Sequence, residues 1–151
     1  MTTIQLVDEI PSSVEEKMQA DLVKYESSHD IDVNYKRFAL ILNEGPHNEL
    51  IGVLNAYMAF SEIHIDDMWI DSNHRGKGYG RKLLEDLEER FKGKGFNNIN
   101  LVTNQFNAPG FYEKCGFELE FVRKNVKNPK LTKFFFVKYF EDENQTQGII
   151  V

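Results

Sequence analysis

Two neighbouring stretches of this chain carry opposite chemistry. Residues 61–71 contain Glu62, Asp66, Asp67 and Asp71 with neither Lys nor Arg, whereas residues 74–82 run His-Arg-Gly-Lys-Gly-Tyr-Gly-Arg-Lys. The basic stretch sets Gly76, Gly78 and Gly80 between a predicted strand ending at Ile70 and a predicted helix opening near Gly78 or Gly80. Glycines at that density let the backbone bend tightly and aim consecutive N–H groups at an anion, and a helix N-terminus adds about half a positive charge. Arg75, Lys77, Arg81 and Lys82 crowd full positive charges where a helix start disfavours them, a conflict that a polyanionic ligand removes. The acidic stretch suits the opposite partner, an ammonium. With a pKa of about 10.4, such a group exposes its lone pair only after a carboxylate or an ordered water takes a proton.

Neither of two familiar phosphate loops fits the glycine pattern. The nucleoside-triphosphate loop follows its last glycine with Lys and then Ser or Thr, but Gly80 precedes Arg81 and Lys82. The dinucleotide loop needs a third glycine three residues after the second and opens the first strand-helix unit, whereas Gly78 is followed by Gly80 in mid-chain. Other reactive side chains are isolated. His29, His47, His64 and His74 show no metal-ligand spacing and the one cysteine, Cys115, stands alone, so no metal site is expected. Cys115, just before Gly116 at the end of a short predicted helix, reads as buried rather than nucleophilic. His64, in a strand without a sequence partner, reads as structural.

The elements that must position these residues follow from periodicity and breakers. Residues 3–10 read as a first strand, closed by Pro11-Ser12-Ser13, with Ser13 and Glu16 as a capping box. Val14, Met18, Leu22 and Tyr25 then recur at helical spacing as a core-facing stripe, and residues 27–30 end the pattern after one helix or two. Residues 38–42 and 50–60 flank the turn at 43–48 as a hairpin, and a strand follows at 63–70. Leu83, Leu84, Leu87 and Phe91 mark an amphipathic helix closed by Gly93 and Gly95. A strand at 99–103, a short helix at 108–115 and strands at 117–122 and 131–139 complete the series. The expected fold is α/β, with a mixed, mostly antiparallel central sheet of about six or seven strands flanked by helices. Residues 1–140 are expected to form one domain, and residues 141–151 a polar, acidic tail whose Ile149-Ile150-Val151 end is free to dock.

Composition bounds the function. The chain has 151 residues, 18 Lys plus Arg against 24 Asp plus Glu, a net charge of -6, and is 41% apolar and 13% aromatic. That suits one domain with an ordinary core and excludes disorder as the main state. No apolar run approaches the roughly 20 residues of a bilayer helix, and the N-terminus lacks a signal-peptide pattern, so a cytoplasmic location without membrane partners is expected. One cysteine makes no internal disulfide, and the acidic balance argues against nucleic acid. Arg123, Lys124, Lys127, Lys130, Lys133 and Lys138 lie in an acid-free stretch at 121–140, read as a solvated loop between the last two strands.

The pattern that does fit is Arg-x-x-Gly-x-Gly at Arg75, Gly78 and Gly80, which resembles the acyl-coenzyme A pyrophosphate loop of the GNAT superfamily of N-acetyltransferases. Met68-Trp69-Ile70-Asp71, running through Arg75-Gly76-Lys77-Gly78-Tyr79-Gly80-Arg81 to Leu84, is similar to that family's fourth strand, loop and third helix in unbroken order. Asn107-Ala108-Pro109-Gly110-Phe111-Tyr112-Glu113-Lys114-Cys115-Gly116-Phe117 resembles its second signature. The likeness covers residues 50–140.

The resemblance implies the GNAT fold, acetyl-coenzyme A as cosubstrate, no metal, and transfer of an acetyl group to a small cationic or amino-sugar-like amine by direct attack in a ternary complex. A protein or peptide acceptor and a non-catalytic acyl-coenzyme A sensor are the alternatives, and a homodimer is allowed by analogy. The loop from Arg75 to Arg81 would hold the diphosphate, and backbone groups of Met68, Trp69 and Ile70 the pantetheine arm, in a gap where this strand and the strand at 99–103 part. Asn107 would anchor the pantetheine, although its own chemistry equally suits a helix cap. Tyr112 would protonate the leaving sulfur; by itself a helix tyrosine reads as packing. The base is Asp66 or Asp67, then Glu62, or a water chain to His64 or to a backbone carbonyl. Strict alternation sends the two aspartates to opposite faces unless a bulge intervenes.

Overall fold

The computed structural model describes residues 1–141, so the expected tail lies outside the described residues beyond Glu141. Two units emerge, one ending at Asn34 and the other starting at Tyr35. In the first, residues 3–10 form no strand. A strand exists only through a partner's hydrogen bonds, and among the described residues this stretch has no ladder. One helix follows, α1 at Ser12–Ser28. The expected capping box is absent: Pro11 is the N-cap, and its carbonyl accepts from both Val14 and Glu15 at 3.0 Å. His29 caps the far end, and Asp30 (φ 59°) turns the chain out of the helix. This unit of helix and irregular chain supplies no core of its own for the Val14, Met18, Leu22 and Tyr25 stripe.

The second unit contains a six-stranded sheet: β1 at Lys36–Glu44, β2 at Glu49–Ala59, β3 at Glu62–Ile70, β4 at Asn98–Asn104, β5 at Glu118–Arg123 and β6 at Lys133–Tyr139. Its spatial order is β1-β2-β3-β4-β6-β5, with β3 and β4 parallel and every other neighbouring pair antiparallel. The parallel pair needs a crossover, which α2 at Tyr79–Phe91 supplies. A second short helix of this unit, α3 at Gly110–Lys114, leads into β5. This is the mixed, mostly antiparallel sheet with helices that the pattern predicts. No helix among the described residues is long and apolar enough to cross a membrane.

Leu83, Leu84 and Leu87 of α2 are buried in one core with Leu54, Ala56, Ile63, Ile65, Ile99, Leu101 and Phe136. The α2 side is thus the apolar face of the sheet. Close approach is built in at Gly52, where a Cβ would sit 2.6 Å from Ile70 Cδ1 and 2.9 Å from the Trp69 carbonyl oxygen. Cys115 lies in this core as expected, and burial pushes its thiol up. On the opposite face, cross-strand register lines up Arg37, Tyr57, His64 and Asn100 in one row and Ala39, Asn55 and Asp67 in the next. β5 departs from expectation. Its register shifts between Leu119 and Phe121, so the alternation predicted from Phe117 breaks, and Leu119 and Phe121 are exposed on an edge strand.

Candidate functional site

The site begins where two strands part. β3 and β4 pair from Glu62 with Asn98 to Ile65 with Leu101, and there their ladder stops. Residues 66–70 and 102–104 then border a cleft of about 860 Å³, within the usual range of small-molecule sites. A bulge sits at the point of parting: Asn55 of β2 faces Asp67 and Ala56 faces Ile65, which leaves Asp66 as the extra residue. A bulge bends its strand and resets its faces, so Ile63 and Ile65 before it and Met68 and Ile70 after it all pack on the α2 side.

Beyond the bulge the β3 edge that faces β4 has no ladder partner. The Asp71 N–H donates to the Ile51 carbonyl of β2 at 2.8 Å, whereas the Ile70 carbonyl turns away from β2 and accepts from Arg75 Nε at 3.0 Å. Main-chain groups alternate sides along a strand. Met68 and Ile70 therefore direct theirs toward the gap, while those of Trp69 face β2.

The glycine loop forms the next wall, and its glycines have different causes. Gly78 is the N-cap of α2 in the left-handed region (φ 86°), with no side-chain cap, so no side chain of the cap residue occupies the first-turn N–H groups. A Cβ on Gly76 or Gly78 would meet nothing within 4 Å. Backbone conformation, not crowding, requires glycine at Gly78. At Gly80 crowding decides, because a Cβ would lie 3.0 Å from Phe111 Cζ of α3. Asp71 staples the loop: its carboxylate accepts from the Asn73 N–H at 3.2 Å and pairs with His74 Nδ1 at 2.9 Å. The bond to His74, reinforced by the Asn73 N–H, holds the Asp71 carboxyl below the usual range.

Arg75, Gly76, Gly78, Tyr79 and Gly80 border the cleft; Lys77 and Arg81, both expected to bind the cosubstrate, do not. Arg81 Nη2 instead donates to the Lys114 carbonyl at 2.9 Å, because the last turn of α3 leaves carbonyls open and α2 passes beside it. Lys77 is exposed. The Tyr79 hydroxyl donates to Glu44 at 3.4 Å; burial first and the Glu44 charge second push its phenol up.

Asn107, Phe111 and Tyr112 border the cleft from the α3 side. Asn107 lies in a short 3₁₀ turn, Gln105–Asn107, and Pro109 is the N-cap of α3, so the cap reading of Asn107 fails. Its carboxamide makes no hydrogen bond among the described residues, whereas Asn104 donates to the Leu131 carbonyl at 3.1 Å. The Tyr112 ring is packed against Phe111, Phe117 and Phe136 at centroid distances of 5.2, 5.9 and 5.8 Å. Its hydroxyl makes no hydrogen bond among the described residues. Burial, helped by Cys115, pushes the phenol up, so Tyr112 keeps its proton at neutral pH. Packing and chemistry are compatible here: the ring is held by the core and the oxygen is left for the cleft.

Asp66 and Asp67 both border the cleft, and the bulge brings both onto the face opposite α2. Asp66 contacts the Arg37 guanidinium of β1, and its other oxygen lies 3.7 Å from His64 Nε2. Asp67 accepts from Asn55 Nδ2 at 3.2 Å. His64 Nδ1 lies 2.6 Å from Asn100 Oδ1, and Glu62 accepts from Asn98 and Asn100, so Glu62 is committed to a polar network outside the cleft. The sequence reading missed Arg37 and Asn55, which only cross-strand register could reveal. It also missed Thr103 and Phe111, whose signal was their neighbourhood to the named motifs. No group of three or more His, Cys, Asp or Glu among the described residues is arranged to hold a metal ion.

This geometry has company. The model of the acetyltransferase (GNAT) family matches residues 4–117. Blasticidin-S acetyltransferase of Streptomyces morookaense is 34% identical over 76 residues, 50% of this chain and 56% of that protein. Glucosamine 6-phosphate N-acetyltransferase 1 of Oryza sativa subsp. japonica is 34% identical over 64 residues, 42% of this chain and 36% of that protein. The chain thus spans about half or less of the length of these curated relatives. A crystal structure of an acetyltransferase from Bacillus cereus ATCC 14579 superposes with a TM-score of 0.72 at 25% identity, covering 90% of this chain and 98% of that one.

Proposed function

The chain belongs to the acetyltransferase (GNAT) family, and from that premise we propose that it transfers an acetyl group from acetyl-coenzyme A to the nitrogen of a small, cationic or amino-sugar-like amine. The observation that carries this reading is one cleft in which the uncapped start of α2, the freed edge of β3, the Tyr112 ring and two carboxylates meet. The residues fit the cosubstrate. The loop presents N–H groups and Arg75 to a diphosphate, Asn107 has an unspent carboxamide for an amide-bearing arm, and the main chain of Met68 and Ile70 faces the gap that an extended chain would fill.

The bulge carboxylates hold the acceptor as its ammonium and take one proton, which exposes the nitrogen lone pair. The nitrogen attacks the thioester carbon directly. A main-chain N–H at the splayed edge of β3 stabilises the negative charge that grows on the carbonyl oxygen, a kind of contact worth about 10²–10³ in rate. As the carbon–sulfur bond breaks, the Tyr112 hydroxyl donates to sulfur and recovers a proton from the acylated nitrogen. Of the three ammonium protons, one reaches the carboxylate and then solvent, one ends on the thiol, and one stays on the amide.

Charge supports a cationic acceptor over a phosphorylated one. On the face of β1, β2 and β3 that holds Asp66 and Asp67, Arg37 is the one guanidinium, and Asp66 already occupies it. The test is thiol release from acetyl-coenzyme A with aminoglycosides, polyamines, amino-sugar phosphates and peptides as acceptors. Release with cationic small amines is expected. Binding of acetyl-coenzyme A without release across the whole set would convert the protein into a sensor, and release with peptides alone would make it a protein acetyltransferase.

A further inference from the structure

We infer that the two adjacent carboxylates of the bulge have separate tasks: Asp67 receives the acceptor's ammonium and its proton, while Asp66, clamped by Arg37, is a positioning residue that fixes the bulge. This rests on the transfer reading above and deepens it.

The bulge creates an electrostatic problem. Two consecutive carboxylates that would alternate in a regular strand lie on one face, where their like charges repel. Arg37 resolves it on one side only. Its guanidinium donates to Asp66 and to the Tyr35 hydroxyl at 3.1 Å, and it lies over the Tyr57 ring at 5.5 Å, so three groups hold it in place. The second Asp66 oxygen faces His64 Nε2 at 3.7 Å. Asp66 is thus committed on both oxygens to side chains of the sheet itself, linking β1 to β3 across β2.

Asp67 differs. Its described side-chain partner is the neutral amide of Asn55, at 3.2 Å, which orients the carboxylate and leaves its charge uncompensated. With Asp66 neutralised, the pair presents a net single negative charge, the complement of one ammonium. Asp67 also immediately precedes Met68, whose main chain faces the gap, so the nitrogen it holds stands beside the path of the thioester. Electrons and protons balance simply. One N–H bond of the ammonium breaks and one O–H bond forms on Asp67, the freed lone pair makes the C–N bond, and Asp67 returns its proton to water after each turnover.

By register Arg37, Tyr57, Asn55, His64 and Asn100 share Asp67's face of the sheet, Tyr35 is tied to it through Arg37, and Asp66 and Tyr112 border the same cleft. Changing either half of the Arg37 and Asp66 pair therefore alters the field at Asp67, and in opposite senses. Asp66→Asn leaves an unpaired cation, which favours the charged form of Asp67. Arg37→Met leaves two adjacent anions, which disfavours it.

The experiment measures acetyl-coenzyme A affinity by calorimetry, and kcat/KM for a cationic amine as a function of pH, on the full chain and four variants. Asp67→Asn is expected to lower kcat/KM by about 100-fold or more with unchanged acetyl-coenzyme A affinity, and Asp67→Glu to recover most of the loss. Asp66→Asn and Arg37→Met are expected to lose less than about tenfold, with the acid limb of the pH profile moved down for Asp66→Asn and up for Arg37→Met. A structural role alone would not move the limb in opposite directions. Wild-type turnover with Asp67→Asn within about threefold of it, or limbs that shift the same way, would overturn this inference and leave the transfer reading standing. Wild-type chain that binds acetyl-coenzyme A and acetylates no amine would overturn both.

Discussion

The two ends of the cleft are built from different material. At the α2 end the cleft is bordered mainly by glycine main chain, with Arg75 beside it, fixed by a left-handed Gly78 and stapled by Asp71. At the bulge end they are side chains, Asp66, Asp67, Arg37 and Asn55, drawn from three strands and set by register. A main-chain site cannot be altered by changing the side chain it lacks, so it suits a constant ligand. A side-chain site can change one residue at a time, which suits an acceptor that differs from one relative to another. Tyr112 stands where the two meet, packed by the core and open to the cleft.

If the division holds, variants at the two ends should separate cosubstrate affinity from chemistry. The largest effect is expected at the junction: Tyr112→Phe should lower kcat by about 100-fold with acetyl-coenzyme A affinity unchanged, measured by single-turnover kinetics. Its pH dependence has a defined sign. Burial raises the phenol, so the protonated form persists beyond the ordinary value of about 10. Wild-type activity should suffer no loss from this group below pH about 10, falling only as pH passes its raised value, and Tyr112→Phe should lack that fall. Stability follows the same direction, intact below the unfolded value and lost as pH rises through the folded one.

Gly78→Val should come next. Forcing a β-branched residue to a φ of 86° costs about 1–2 kcal/mol. That is enough to weaken acetyl-coenzyme A by about tenfold or more while leaving the KM for the amine unchanged; equal loss at both sites would erase the distinction between the ends. A few-fold effect is expected at Asp71, read by calorimetry against pH. Its lowered carboxyl contributes loop order above the ordinary value of about 3.9, and that contribution is lost as pH falls through the lower folded value. Affinity in the wild type should hold from neutral pH to about 5 and decline below about 4, while Asp71→Asn should start weaker and vary less. Cys115→Ala is the smallest change. It should cost about 1 kcal/mol for a buried thiol and leave turnover within about twofold, and alkylating reagents should react slowly with the wild type because burial raises the thiol.

What could be read from the residues divides along the same line. The glycine loop was legible because its signal is local: three glycines and their basic neighbours between a strand and a helix, with φ at Gly76 and Gly78 bearing out the need for glycine. The strands from 36 to 139 were legible as short apolar runs between turn residues, with boundaries off by a residue or two. The roles of Gly80, Arg81 and Asn107 were not. Gly80 answers to Phe111 and Arg81 to the Lys114 carbonyl, contacts between segments about 30 residues apart, and Asn107 falls in a turn whose geometry depends on Ala108 adopting a φ of 49°. The bulge was named only as a condition, since a register shift belongs to a pair of strands and neither strand alone encodes it. For the same reason Arg37 carried no signal, and residues 3–10, which alternate well enough for a strand, form none.

On the reading proposed above, main-chain amides at the start of α2 grip the cosubstrate. Titrating acetyl-coenzyme A into isotope-labelled protein and following backbone amide resonances tests it directly. The largest shifts should fall on Gly76, Gly78, Tyr79, Gly80 and Arg81, with Met68 and Ile70 next. Saturation of the protein with those seven amides unmoved, or no shift anywhere at millimolar ligand, would contradict it.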